Sequence, residues 1–227
     1  MEEQYKQDIR GNYIRFHNRL DYLNDVFNYA EKYRFQRHVE LSKLVVENTY
    51  GEFLEKFGQA TLKEFNSIDL WYRYMLIHSI FISAYSEFES QMTSIAEMLE
   101  KNITSRIKIK DISKTGSDID KLRKYLDLVH NLQNADSGKN IWIQIEKFRG
   151  IRNVLVHHGG RLVLKIEKRQ EKIDFLASYQ VLVDSETFEF YIREINFLRD
   201  FFALIKTYSW DIVKEIAPVP PPPPILP

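Results

Sequence analysis

The chain has 227 residues, 44% of them hydrophobic, enough to bury the core of one large domain carrying an extension. Lysine plus arginine and aspartate plus glutamate stand at 32 each. A net charge of zero argues against a protein that coats nucleic acid or an anionic membrane over a wide face, while leaving room for a small basic site. Cysteine is absent, which excludes disulfides and thiolate metal sites and suits a reducing cytoplasm.

The first residues, MEEQYKQDIR, are acidic and polar and lack the apolar core of a signal peptide. Apolar residues then recur at Ile9, Tyr13, Phe16, Leu20, Leu23, Phe27 and Ala30, alternating steps of four and three, which makes a helical seam. Its large aromatics fit an antiparallel partner better than a parallel coiled coil. The segment Val39–Phe57, with Leu41, Leu44, Val45 and Leu54, is the expected partner. This reading gives a helical hairpin over residues 1–65.

A second helical body is expected over residues 66–217. Ser67 is placed to cap a long helix through DLWYRYMLIHSIFISAYSEFESQMTSIAEMLEK. Its most apolar part, Met75–Tyr85, is too short to span a bilayer and contains His78 and two serines, so a soluble cytoplasmic chain with no membrane partner is expected. NITSRIKIKDIS reads as irregular or a short strand. Ser117 is placed to cap a helix through DIDKLRKYLDLVHNL, and NADSGKN reads as a loop. Ile141–His158 reads as a helix stopped by Gly159 and Gly160. RLVLKIEKRQEKI fits strand or helix, and YQVLV fits a short strand. Asp184 or Ser185 is then expected to cap a final helix. All seven prolines fall in Pro218–Pro227, so residues 218–227 read as an unpacked polyproline tail, a disordered end rather than a ligand for an aromatic groove.

The stretch RNVLVHHGG, Arg152–Gly160, concentrates functional side chains. With Arg152 at zero and about 100° per residue, Val156 falls near 40°, Arg149 near 60°, Asn153 near 100° and His157 near 140°. Phe148, Ile151, Val154 and Leu155 fall between about 200° and 320°, on the core side, and His158 near 240° joins them in a packing or capping role. One account makes the polar face ordinary solvated surface, with Arg and His complementing the helix dipole. The other makes it a site. Histidine titrates close to neutrality and suits acid or base work. Arginine presents a charged fork that matches phosphate. Asparagine orients a hydroxyl, a phosphate oxygen or the imidazole. Together they are the minimum for attack of a ribose 2′-OH on its own phosphodiester, which needs no metal. A two-fold dimer apposing two such faces would supply two histidines and two arginines.

R-N-V-L-V-H resembles the R-x4-H motif of HEPN domains, with a polar residue after the arginine, an apolar helix leading in (IEKFRGI) and glycines following. FISAYSEFESQM resembles that family's early helix, with Phe88-Glu89 at its aromatic–glutamate position, and SETFEFYIREINFLRDFFALI resembles its closing helix. The resemblance covers roughly Ile68–Ile216. It implies an all-α HEPN-like bundle, a homodimer and, in many members, a metal-independent ribonuclease of toxin–antitoxin, antiviral-defence or RNA-processing systems. Arg152 and His157 would be the catalytic pair and Asn153 their assistant. Glu89 would support the site, by orienting Arg152 or by binding across the bundle. Other members are inactive binding or assembly modules. RNA is the expected partner, beside a possible antitoxin or defence-system subunit.

Three readings stand. In the first, the chain cuts RNA. In the second, it is a helical adaptor, which the seam, the aromatic content of 14% and the tail all suit. In the third, it binds RNA without cutting it, through Arg149, Arg161 and Lys165 around the basic run KIEKRQEK, a run that is otherwise a solvated helix face. No cofactor is expected. The remaining histidines show no metal-ligand spacing, and no glycine-rich phosphate loop occurs.

Overall fold

A computed structural model describes residues 2–47, 63–64, 72–112 and 117–218. Among them the chain forms six α-helices: α1 (Glu2–Glu47), α2 (Arg73–Asn102), α3 (Asp118–His130), α4 (Asn140–His158), α5 (Arg169–Ala177) and α6 (Ile195–Ile216). Short 3-10 turns stand at Ile109–Asp111 and Gln133–Ala135. The described residues contain no strand, only two isolated antiparallel bridges, Arg161 with Glu189 and Val183 with Phe190. The fold class is all-α.

Two corrections follow. The expected hairpin turn between Ala30 and Val39 is absent, because α1 runs unbroken from Glu2 to Glu47. Its residues 31–38, EKYRFQRH, hold neither proline nor glycine, and Arg34 pairs with Glu31 one turn away, at 3.0 Å. The expected second arm beyond Glu47, the Ser67 cap and the tail beyond Pro218 lie outside the described residues. The last helix begins at Ile195, not at Asp184 or Ser185. The Asp184 carboxylate accepts from the Glu186 and Thr187 amides at 2.9 and 2.7 Å, and from the Thr187 hydroxyl at 3.0 Å. It closes a turn instead of opening a helix. The chain then extends through the bridges at Glu189 and Phe190. Of YQVLV only Val183 makes a β pairing. The Ser117 cap forms as read, its hydroxyl accepting from the Asp120 amide at 3.3 Å.

The residues divide into two compact units, each drawing on both sides of the boundary expected near residue 65. The first comprises Met1–Leu20, Tyr85–Arg149 and Asp200–Pro227. Its core is aromatic: Tyr85 stacks on Phe201, Phe148 meets Phe201 at 5.1 Å, and Trp142 meets Tyr208 at 5.5 Å. The seam residues Ile9 and Phe16 of α1 are buried here, and Tyr13 packs on Trp210. One cation is buried with them. Arg123 donates to Asp120 at 3.1 Å, Asp127 at 3.3 Å and the Ala135 carbonyl at 2.7 Å, and its guanidinium lies over Trp142. Those acceptors satisfy a charge that burial would otherwise penalise.

The second unit comprises Asp21–Ala84 and Gly150–Arg199. Phe27, Ile77, Phe81, Ile151, Val154, Leu176, Phe190 and Phe197 form its core. Phe81 and Tyr179 both meet Phe197 edge-on. His78 is partly buried among Tyr74 and Phe190, and its Nε2 accepts from the Ile192 amide at 3.1 Å. Among the described residues, no helix is long and apolar enough to cross a membrane.

Candidate active site

The C-terminal turns of α4 are held from both sides. Ile151 and Val154 are buried, and Leu155 is nearly so, which fixes the inner face of the helix. At the end, Gly159 and Gly160 take φ of 58° and 80°, a left-handed region that favours glycine. The Gly160 amide returns to the Val154 carbonyl at 3.2 Å, closing the helix. A Cβ at Gly160 would lie 3.3 Å from the Phe190 carbonyl oxygen. The Gly160 carbonyl accepts from the Phe190 amide at 3.1 Å, and the Leu162 amide donates to Phe188 at 2.9 Å. Phe188 is itself anchored under the Arg169 guanidinium, 3.9 Å from its ring centre. The helix end is therefore tied to a second segment at Phe188 and Phe190.

On the outer face, Arg152 and Asn153 are half-buried, and Val156 and His157 are exposed. The Arg152 guanidinium donates to Asn153 Oδ1 at 3.2 Å. Asn153 and His157 are four residues apart on one helix, which sets their Cβ atoms about 5–6 Å apart. Helical side chains lean toward the N-terminus, so His157 lies back over the turn that carries Asn153. Arginine and amide thus meet on the outer face of α4, one turn from the imidazole.

His158 departs from the wheel. It is exposed rather than packed, since it closes the helix where the chain turns away at Gly159, and its carbonyl accepts from the Arg161 amide at 3.0 Å. Val154 and Leu155 fill the core positions that the wheel shared with it.

The supporting cations are more engaged than the sequence implied. Arg149 pairs with Glu146, three residues back on α4. Burial raises the pKa of Glu146, and Arg149 draws it back down. Arg161 pairs with Glu189, which also accepts from the Tyr191 hydroxyl at 2.8 Å. These partners hold the Glu189 carboxyl below its ordinary range, the guanidinium contributing most. Lys165 stands exposed on the turn before α5, so of these three cations it alone is accessible without displacing a carboxylate. Glu89 belongs to the first unit, half-buried on α2, and its carbonyl accepts from the Thr93 hydroxyl. Among the described residues no three histidine, aspartate or glutamate side chains gather as a metal site requires.

Comparison of the chain with protein-family models, with curated proteins and with solved structures gives no match.

Sequence reasoning passed over two features. His78 was weighed only as a metal ligand, whereas it serves as a buried hydrogen-bond acceptor. A polar pocket between α1 and α2 was also missed. Its signal was present: Asn12, Arg15 and Arg19 on one helix, and Glu87, Ser90, Gln91 and Ser94 on the other, recur at steps of three and four.

Proposed function

We propose that the chain is a metal-independent endoribonuclease with its active centre at Arg152, Asn153 and His157. The observation that carries this reading is the row itself: a guanidinium hydrogen-bonded to an amide, one turn from an exposed imidazole, on a helix end pinned by Gly160 to Phe190. Arg152 would hold a non-bridging phosphate oxygen and stabilise the charge that builds there. The ribose 2′-oxygen would attack phosphorus while the bond to the 5′-oxygen breaks. The 2′-OH proton leaves to a base and the departing oxygen gains a proton from an acid, yielding a 2′,3′-cyclic phosphate and a 5′-hydroxyl end. His157 would serve one of these roles, and His157 of a second copy in a homodimer the other. DNA lacks the nucleophile. The resemblance of the motif and its flanking helices to HEPN domains supports the same reading, and with it a place in toxin–antitoxin or antiviral defence.

The test is RNA cleavage in EDTA by wild type and His157→Ala, with analysis of product ends. Cyclic phosphate ends from wild type alone are the expected result. Absence of cleavage by a folded, dimeric chain would refute it.

A helical adaptor is the second reading, and one observation favours it. Tyr22, Val26, Tyr29 and Tyr33 form an exposed row on α1 at steps of four, three and four, the three tyrosines 68%, 77% and 62% exposed. A catalytic role for α4 makes no use of that row.

A further inference from the structure

The first unit contains a pocket of about 120 Å³ between α1 and α2. Its ends are closed by direct contacts. At one end the Asn12 amide nitrogen donates to the Ser94 hydroxyl at 2.7 Å. At the other, Arg19 pairs with Glu87 at 2.9 Å. These contacts set the helices antiparallel, so Arg15 and Gln91 fall between them. Neither is matched. Arg15 has no hydrogen bond or ion pair among the described residues. Gln91 is only 4% exposed, and its amide nitrogen is buried without a partner.

Of two guanidiniums one turn apart on α1, only that of Arg19 meets a carboxylate. Like charges at this spacing repel, and the second cation is left over. The Ser90 and Ser94 hydroxyls face it from α2. The space admits about four waters. Arg15 stands at the exposed rim, where water solvates its charge, whereas the Gln91 amide lies buried and unmet. An oxyanion would accept from Arg15 and Gln91 together, and the arginine fork matches phosphate geometry. One further group narrows the choice. Asn12 Oδ1 is also buried without a hydrogen-bond partner, and it is an acceptor. A donor on the occupant, beside its negative oxygens, would find an acceptor there. A phosphate monoester or inorganic phosphate supplies a P–OH in its monoanionic form, which for a monoester dominates below about pH 6. A phosphodiester has no such proton.

We propose that this pocket binds a terminal phosphate group, with Arg15 and Gln91 as its principal donors and Asn12 Oδ1 accepting from the protonated oxygen. The proposal is independent of the ribonuclease reading, since no residue is shared.

The experiment is isothermal titration of the full chain at constant ionic strength with inorganic phosphate, adenosine 5′-monophosphate, and one oligoribonucleotide bearing either a 5′-phosphate or a 5′-hydroxyl. Adenosine and dimethyl phosphate serve as controls. Saturable binding of phosphate, with none of dimethyl phosphate, is expected. The tighter of nucleotide and 5′-phosphorylated RNA then identifies the source of the group. Arg15→Gln, at the exposed rim, should weaken binding about tenfold or more while leaving thermal unfolding unchanged. Gln91→Leu, of similar volume, should weaken it without loss of fold. No saturation by about 10 mM phosphate, unaltered affinity in Arg15→Gln, or equal binding of dimethyl phosphate would overturn the proposal.

Discussion

Replacing His78 by glutamine should remove a step of acid sensitivity that lies between pH 6.5 and about 4. The folded chain holds the ring neutral: Nε2 accepts from the Ile192 amide at 3.1 Å, so the proton sits on Nδ1. Tyr74 and Phe190 flank the ring, and burial pushes its pKa from 6.5 down to about 4. The unfolded chain takes up a proton below pH 6.5, whereas the folded chain resists it until about pH 4. Stability from His78 is therefore complete above the unfolded value and is lost as the pH falls through that window. Linkage gives a difference of at most about 2.5 kcal/mol between about pH 7 and about pH 4.5. Glutamine retains an acceptor for the Ile192 amide and has no proton to gain. Urea unfolding of both proteins at several pH values reads the effect. Stability curves should diverge in slope across the window, the wild type falling faster toward acid. Curves parallel to within about 0.5 kcal/mol would show that the imidazole does not govern the step.

Gly160→Ala should destabilise by about 1–3 kcal/mol, since it adds a side chain at φ of 80° and presses a Cβ against the Phe190 carbonyl; thermal unfolding measures it. Arg123→Leu should cost about 3 kcal/mol in urea unfolding, because the Ala135 carbonyl loses its donor and Asp127 its ion pair inside the first unit. His158→Ala should leave both fold and RNA cleavage intact, because the exposed ring is absent from the row that carries Arg152 and Asn153; a rate falling as far as that of His157→Ala would move the catalytic role to the wrong histidine or to both. On the ribonuclease reading, RNA affinity should fall with salt more gently than a wide basic face would give, with a slope of about −1 to −2 for single strands, read by fluorescence anisotropy.

The sequence was most legible where one physical requirement dominated. The seam of α1 reappears as buried Ile9, Phe16, Leu20 and Phe27, because a helix must bury a stripe at its own period. Ser117 and the glycine pair marked true helix ends, since capping and left-handed backbone restrict residue choice sharply. Legibility failed where local chemistry admits two outcomes. Asp184 is equally suited to start a helix or to close a turn, and the bridges behind it decide in favour of the turn. The hairpin was inferred from a need for a partner, yet an apolar seam does not name which segment meets it. Tyr13 meets Trp210, near the other end of the chain, a contact that periodicity cannot specify.

The same limit governs the site. A helical wheel puts Arg152, Asn153 and His157 on the outer face of α4, where they lie, but it is blind to what stands beside that helix. Glu189 lies 28 residues from Arg161 and takes up its charge, and Glu146 does the same for Arg149. The basic face read from the sequence is thereby reduced, since Arg149 and Arg161 each already meet a carboxylate. Binding through so few phosphates is weak and nonselective by charge alone. If the chain cuts RNA, selectivity must come from where the strand is held relative to Arg152, Asn153 and His157, and a second copy would supply part of the affinity. On the ribonuclease reading, this charge pairing calls for a shallow salt dependence and sharply positioned cleavage.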